Sequence, residues 1–313
     1  MDLKRVAPDL RRRARWLPRV PLGKPWALWL TRALANALPR TPLGDVSLEQ
    51  VEHHGLRLRV YRPADRRGDV GMLWIHGGGY VLGSAALDDR ICVDTCRSMG
   101  IVIVSVDYRL APEHPYPAPL DDCFAGWAWL LSQAGSLGVN SEQLVIGGRS
   151  AGGGLAAALT QRVNDGGGPR PIGQWLFCPM LDDRTAANRD LDLIDHIAWS
   201  NRANEVGWRS YLGQPPGTAV VPEYAAAARR RDVTGLPPTW IGIGDIDLFY
   251  EESRQYAERL HRAGVPVTFE VIAGAPHGFE TWAARSASAR ALMASAEAWL
   301  LAVSQPMSPP NSL

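Results

Sequence analysis

Apolar and polar residues follow two different periods along the chain, which separate predicted strands from predicted helices. Short runs that alternate or are apolar throughout are typical of strands covered on one face or on both. These runs predict eight strands, at residues 46–51, 56–61, 71–75, 101–106, 143–147, 172–177, 239–244 and 267–272. The first two alternate and meet at His54 and Gly55, so an edge hairpin is expected.

Longer amphipathic segments lie between the later strands and predict helices. They are residues 88–99, 120–133, 151–164, 251–263 and 283–303. Because the later strands alternate with helices, we predict an α/β fold with an eight-stranded, mainly parallel sheet and helices on both faces. In such a sheet, the loops after the carboxyl ends of the strands form the functional site.

Two regions lack this alternation. The N-terminal region is expected to form two helical pieces, with Trp16, Trp26 and Trp29 on an apolar side. Three roles are possible for this side: it packs on the protein body, it receives an acyl chain, or it contacts a membrane. A polar region after the sixth strand is expected to be a mostly helical insertion. We therefore predict an N-terminal segment at residues 1–44 and a core formed by residues 45–182 and 234–304. The insertion is expected at residues 183–233 and a disordered tail at residues 305–313.

Composition and charge exclude several classes of function. The chain has 313 residues, of which 46% are hydrophobic, as in an ordinary packed protein. Its formal net charge of +1 gives no reason to expect a nucleic-acid partner. The N-terminal apolar run is broken by Thr31, Arg32 and Asn36, which argues against a secretory signal. No run approaches the ~20 apolar residues of a membrane span, so no stable membrane association is expected.

Four cysteines occur in apolar or helical contexts without C-x-x-C spacing, at Cys92, Cys96, Cys123 and Cys178. We expect them to be buried free thiols, which suits a reducing cytoplasm and predicts a cytoplasmic location. Cys92 and Cys96 are four residues apart, but one cysteine pair does not make a zinc site.

The strongest chemical signal is a serine between glycines where a predicted strand meets a predicted helix. The segment Gly148-Arg149-Ser150-Ala151-Gly152 matches the Gly-x-Ser-x-Gly pattern of a sharp turn that exposes a serine at the edge of a sheet. A serine hydroxyl attacks a carbonyl only if a base takes its proton. Ser150 is therefore the predicted nucleophile.

A base and an acid are expected at the same edge of the sheet. Of seven histidines, His277 follows the last predicted strand and is the preferred base, whereas His76 is assigned to holding its own loop. A carboxylate must orient the imidazole. Asp245 and Asp247 both follow strand 239–244, and their spacing alone does not separate them.

Backbone N–H groups are the predicted donors to the oxyanion that forms during acyl transfer. We assign this role to Gly77 and Gly78, which follow strand 71–75, and to Ala151, which follows the nucleophile. The glycine runs match neither a dinucleotide-binding nor a Walker pattern, so no cofactor and no metal are predicted.

Together these motifs resemble the hormone-sensitive-lipase-like branch of α/β-hydrolase esterases over about residues 46–300. The resemblance rests on residues 76–79, 107–118, 148–153, 247–252, 256–260 and 277–279. It implies an α/β-hydrolase fold, favours Asp247 over Asp245 as the third member of the triad, and implies a cap formed by residues 1–44 and 183–233. It also implies a homodimer through the edge of the last strand.

Arg149 departs from this family, which usually has an acidic residue just before the serine. The sequence leaves its partner open: Asp122, Asp183 or solvent.

The sequence thus predicts a serine carboxylesterase that hydrolyses short- to medium-chain esters through an acyl-enzyme. An amidase or N-acetyl hydrolase would use the same triad, and matched ester and anilide substrates would separate the two. A non-catalytic small-molecule receptor on this fold usually lacks a triad residue, and this chain has all three.

Overall fold

A single eight-stranded sheet forms the centre of the computed structural model, which describes residues 3–17, 22–36 and 41–305. The strands are β1 (Val46–His53), β2 (Leu56–Pro63), β3 (Gly71–Ile75), β4 (Val102–Asp107), β5 (Leu144–Arg149), β6 (Gly173–Phe177), β7 (Thr239–Gly244) and β8 (Val267–Ile272). Their order in the sheet is β1-β2-β4-β3-β5-β6-β7-β8. β2 is antiparallel to β1 and β4, and all other pairs are parallel. The predicted fold class is confirmed.

Helices cover both faces of the sheet. They are α1 (Pro8–Ala14), α2 (Pro25–Asn36), α3 (Asp89–Met99), α4 (Ala118–Leu137), α5 (Ala151–Asp165), α6 (Asp183–Ala187), α7 (Asn201–Leu212), α8 (Tyr250–Arg262), α9 (Phe279–Trp282) and α10 (Ala287–Val303). Successive side chains of a strand point to opposite faces. Accordingly, Leu73 and Ile75 of β3 join the core beneath α4, α5 and α8, whereas Met72 and Trp74 join the core beneath α1, α3 and α10.

The last predicted helix, at residues 283–303, is present as α10, but it begins four residues later, at Ala287. The short α9 ends before it, at Trp282. Ser286 causes the new start, because its hydroxyl accepts a hydrogen bond from the backbone N–H of Ala289 at 3.1 Å and so caps α10.

Of the three roles expected for the tryptophans of the N-terminal segment, packing on the protein body is wrong. Trp16, Trp26 and Trp29 are 81%, 64% and 71% exposed. The segment instead buries aliphatic side chains, including Leu10 and Ala14, against the core that contains α10. Residues four apart share one face of a helix, and these two positions lie on the face of α1 turned toward the core.

The four cysteines are buried and free, as predicted. Within the described residues, no helix combines the length and the apolar character that crossing a bilayer requires. Apart from Gln305, the predicted tail lies outside the described residues.

Candidate active site

Ser150 lies in a sharp turn between β5 and α5. Its backbone has a φ of 55° and a ψ of −123°. Few residues other than glycine adopt a positive φ, so the backbone of Ser150 is strained. The turn needs Gly152, since a Cβ there would lie 2.1 Å from the Ile75 carbonyl oxygen and 2.3 Å from that of His76. The first turn of α5 therefore packs directly against the end of β3.

A chain of hydrogen bonds joins Ser150 to the loops that follow β7 and β8. The Ser150 Oγ lies 2.9 Å from Nε2 of His277, and the His277 Nδ1 lies 2.8 Å from Oδ2 of Asp247. Asp247 also accepts a hydrogen bond from the Phe249 N–H at 2.9 Å. The three residues are buried: Ser150 is 3% exposed, Asp247 is 5% exposed and His277 is 6% exposed. With Nδ1 donating to Asp247, Nε2 is free to accept the serine proton.

The other candidate residues have different partners. The Asp245 Oδ1 accepts a hydrogen bond from the Gly274 N–H at 2.6 Å and so holds the turn after β8. The buried His76 ring has Nδ1 2.8 Å from the Gly77 carbonyl and stacks on Tyr108 with centroids 4.2 Å apart. Neither side chain is part of the hydrogen-bond chain at Ser150.

The loop after β3 brings backbone donors close to Ser150. A Cβ built on Gly77 would lie 3.1 Å from the Arg149 carbonyl oxygen and 3.3 Å from the Ser150 Cβ, so no side chain fits between Gly77 and the turn at Ser150. Among the described residues, no hydrogen bond uses the N–H of Gly77 or Gly78. The N–H of Ala151 opens α5 and has no partner within the helix. The partial positive charge of that helix end favours an oxyanion at this position.

Arg149 pairs with neither acid suggested by the sequence. Its Nη2 lies 2.5 Å from Oδ1 of Asp88, and Asp88 also accepts a hydrogen bond from the indole of Trp74 at 3.0 Å. Burial acts to raise the pKa of Asp88, but the charge and hydrogen bond of Arg149, together with His76 and the Trp74 hydrogen bond, hold that pKa below its usual value.

The two acids that the sequence suggested have arginine partners of their own. Asp122 binds Arg109 at 2.8 Å, and Asp183 binds Arg229 at 2.7 Å. Since Asp88 lies 61 positions before Arg149, no local pattern indicates the pair that does form.

Aromatic residues of the 183–233 region cover the loop after β3. A Cβ on Gly79 would lie 2.1 Å from the Trp199 ring, and Tyr80 stacks on Tyr211 of α7 with centroids 4.1 Å apart. The sequence showed only scattered aromatic residues here, and no motif singled them out.

Cys178 is a further buried residue at the site. It directly follows β6, and its Sγ lies within 4.8 Å of ligand atoms of both Asp247 and His277. The same Sγ lies 3.9 Å from Oε1 of Glu280. Burial, together with the charges of Glu280 and Asp247, raises the pKa of the Cys178 thiol. Its place at the carboxyl end of a parallel strand was the signal available in the sequence.

Comparison with known proteins places the chain among hydrolases. A family model described as alpha/beta hydrolase fold matches residues 72–281. The chain is 33% identical over 259 residues to the carboxylic ester hydrolase LipN of Mycobacterium tuberculosis. This alignment covers 79% of this chain and 68% of LipN. It is also 33% identical over 233 residues to the esterase LipI of the same organism, covering 72% and 71%.

Solved structures agree over nearly the whole length. A bacterial heroin esterase superposes with a TM-score of 0.90 at 32% identity, covering 98% of this chain and 100% of the other. The esterase LipW of Mycobacterium marinum superposes with a TM-score of 0.86 at 32% identity, covering 97% and 98%.

Proposed function

The chain belongs to the alpha/beta hydrolase family as a carboxylic ester hydrolase of the hormone-sensitive-lipase-like branch, and on that premise we propose how it works. It hydrolyses short- to medium-chain carboxylic esters with Ser150 as nucleophile, His277 as base and Asp247 as the orienting acid. The observation that carries this proposal is the hydrogen-bond chain, with its distances of 2.9 and 2.8 Å.

Acylation of Ser150 is the first half of the reaction. Nε2 of His277 takes the hydroxyl proton while Oγ bonds to the ester carbonyl carbon, and His277 then gives that proton to the departing alcohol. The Asp247 carboxylate stabilises the imidazolium that exists between these two transfers and keeps Nδ1 as the donor. Water then attacks the acyl-enzyme by the same route and releases the acid.

The charge on the carbonyl oxygen is stabilised by backbone donors. We assign the N–H groups of Gly77, Gly78 and Ala151 to this oxyanion, because the first two have no partner among the described residues and the third opens α5. Such donors typically contribute ~10² to 10³ in rate each.

The proposed preference for short and medium acyl chains is supported by the burial of the nucleophile and by an aromatic side chain near it. Ser150 is only 3% exposed, and Trp199 contacts the neighbouring Gly79. We assign residues 1–44 and 183–233 to a cap over this site, and we place the enzyme in the cytoplasm because its four cysteines are free thiols.

Hydrolysis of p-nitrophenyl esters of increasing acyl length tests the proposal. We expect the highest kcat/KM for short or medium chains and a loss of at least ~10³ in kcat for Ser150→Ala. Ser105→Ala is the matched control, because Ser105 is a buried serine of β4. Equal rates for Ser150→Ala and the wild type would remove the mechanism, and equal turnover of a matched anilide would indicate an amidase.

A further inference from the structure

We propose that Cys178, Asp247 and His277 form an inhibitory binding site for a thiophilic divalent cation such as Zn²⁺. These side chains supply one sulfur, one oxygen and one nitrogen ligand, and the three ligand atoms lie within 4.8 Å of one another. The three residues are 3%, 5% and 6% exposed. No other group of three potential metal ligands with this spacing occurs among the described residues.

The spacing is close to what a metal ion requires. Tetrahedral Zn²⁺ with Zn–S of about 2.3 Å and Zn–N or Zn–O of about 2.0 Å holds its ligand atoms about 3.3–3.6 Å apart. Side-chain movements of about 1 Å or less would close the remaining gap. Oε1 of Glu280, at 3.9 Å from the Cys178 Sγ, is in reach as a fourth ligand.

The ligand set selects the class of cation. Thiolate and imidazole ligands favour Zn²⁺ and similar soft or borderline ions, whereas Mg²⁺ and Ca²⁺ prefer oxygen ligands only. On binding, the cation replaces the thiol proton of Cys178, which passes to solvent. The two positive charges then offset the Cys178 thiolate and the Asp247 carboxylate in a buried site.

Metal binding blocks the base that the proposed function requires, and the inhibition rests on that function. A cation on Nδ1 of His277 displaces the proton that is donated to Asp247 and moves it to Nε2, which then has no lone pair for the Ser150 proton. A cation on Nε2 occupies that lone pair directly. In both cases hydrolysis stops until the cation leaves.

Binding is measured first, without relying on activity. Ser150→Ala keeps all the ligands, and titration of this variant with Cd²⁺ should produce a thiolate-to-metal absorbance band in the ultraviolet at one equivalent. The band should be absent when Cys178→Ala is added. It should persist when Cys123→Ala is added, since Cys123 is an equally buried thiol outside the site.

Inhibition is measured next on the full-length active enzyme with Zn²⁺, each variant being compared with its own metal-free rate. We expect inhibition that a chelator reverses, and a concentration for half inhibition at least ~10-fold higher for Cys178→Ala than for Cys123→Ala or the wild type. Cys96→Ala tests the cysteine pair of α3 as the competing site.

The two proposals fail in different ways. An unchanged Zn²⁺ sensitivity in Cys178→Ala, a loss of sensitivity in Cys96→Ala, or no Cd²⁺ band in Ser150→Ala would overturn the metal site. None of these outcomes affects the test of the proposed function, which depends on the ester series and on Ser150→Ala.

Discussion

Two aspartates two positions apart have different tasks in the loop after β7. Asp247 contacts His277 at 2.8 Å, whereas Asp245 accepts a hydrogen bond from Gly274. The sequence left them equivalent because both follow the same strand, and only the resemblance to a family favoured Asp247. The direction in which each side chain leaves the turn separates them.

Asp247→Asn should lower kcat by ~10³ to 10⁴ with little change in KM, because an amide favours the wrong imidazole tautomer and cannot offset the imidazolium charge. Steady-state kinetics with one p-nitrophenyl ester measures the effect. Asp245→Asn is the matched control and should stay within a few-fold of the wild type. The opposite ranking would mean that Asp245 is the acid.

Arg149→Met should destabilise the protein by about 3–5 kcal/mol, because it leaves the Asp88 carboxylate buried and without its cation. The two side chains are only 11% and 0% exposed. Urea unfolding measures the change in the free energy of unfolding.

A double mutant separates this effect from general damage to the turn. Arg149→Met with Asp88→Asn should recover a large part of the loss, since no charge then stays buried. Arg254→Met, which removes an exposed pair with Glu251 on α8, should leave the urea midpoint unchanged. A double mutant as unstable as the sum of its single mutants would contradict this account.

At the level of elements, the strand–turn–helix unit β5–Ser150–α5 organises the site. Its apolar strand, glycines and helix-forming run are local features, and the sequence indicated them together. Predicted strand boundaries agree with the structure to within two residues. The start of α10 was predicted four residues too early, because Ser286 looked like an ordinary residue inside a long amphipathic segment.

Gly152→Ala should displace α5 from the end of β3, since the new methyl group would meet two backbone carbonyl oxygens. We expect a loss of about 1–3 kcal/mol in the free energy of unfolding. Because Ser150 is adjacent to this contact, kcat should also fall. Thermal or urea unfolding and ester kinetics on the same sample test both expectations.

Gly135→Ala is the matched control for that substitution. Gly135 lies inside α4 with nothing within 4 Å of a new Cβ, so alanine should stabilise the protein by about 0.5–1 kcal/mol. Comparable losses in both variants would show that the close approach at Gly152 is not the cause.

At the scale of the whole molecule, the order of the strands assembles the site at one edge of the sheet. The parallel strands β3, β5, β6, β7 and β8 place their carboxyl ends together, where Ser150, Cys178, Asp247 and His277 follow them. The last strand, β8, is half-buried along its length, and within residues 3–17, 22–36 and 41–305 it pairs with β7 alone. Its other edge has no strand partner in this part of the chain.

We propose that two copies of the chain associate through this edge of β8, because an unpaired strand edge can add a strand from another chain. Sedimentation velocity at micromolar and higher concentrations should show a species of twice the 34.2 kDa chain mass. Dilution should shift the distribution toward the single chain. A single-chain mass at every concentration would contradict the dimer.

The sequence by itself determined the succession of strands and helices, the sharp turn at Ser150 and the burial of the cysteines. These depend on hydrophobic period, turn chemistry and residue type within a few positions of one another. Only the tertiary structure decided that Arg149 binds Asp88, that Trp16, Trp26 and Trp29 face outward, and that Cys178 lies beside Asp247 and His277. Such contacts join residues far apart in the chain, as Arg149 and Asp88 are at 61 positions, and they depend on how the strands are ordered and the helices are packed.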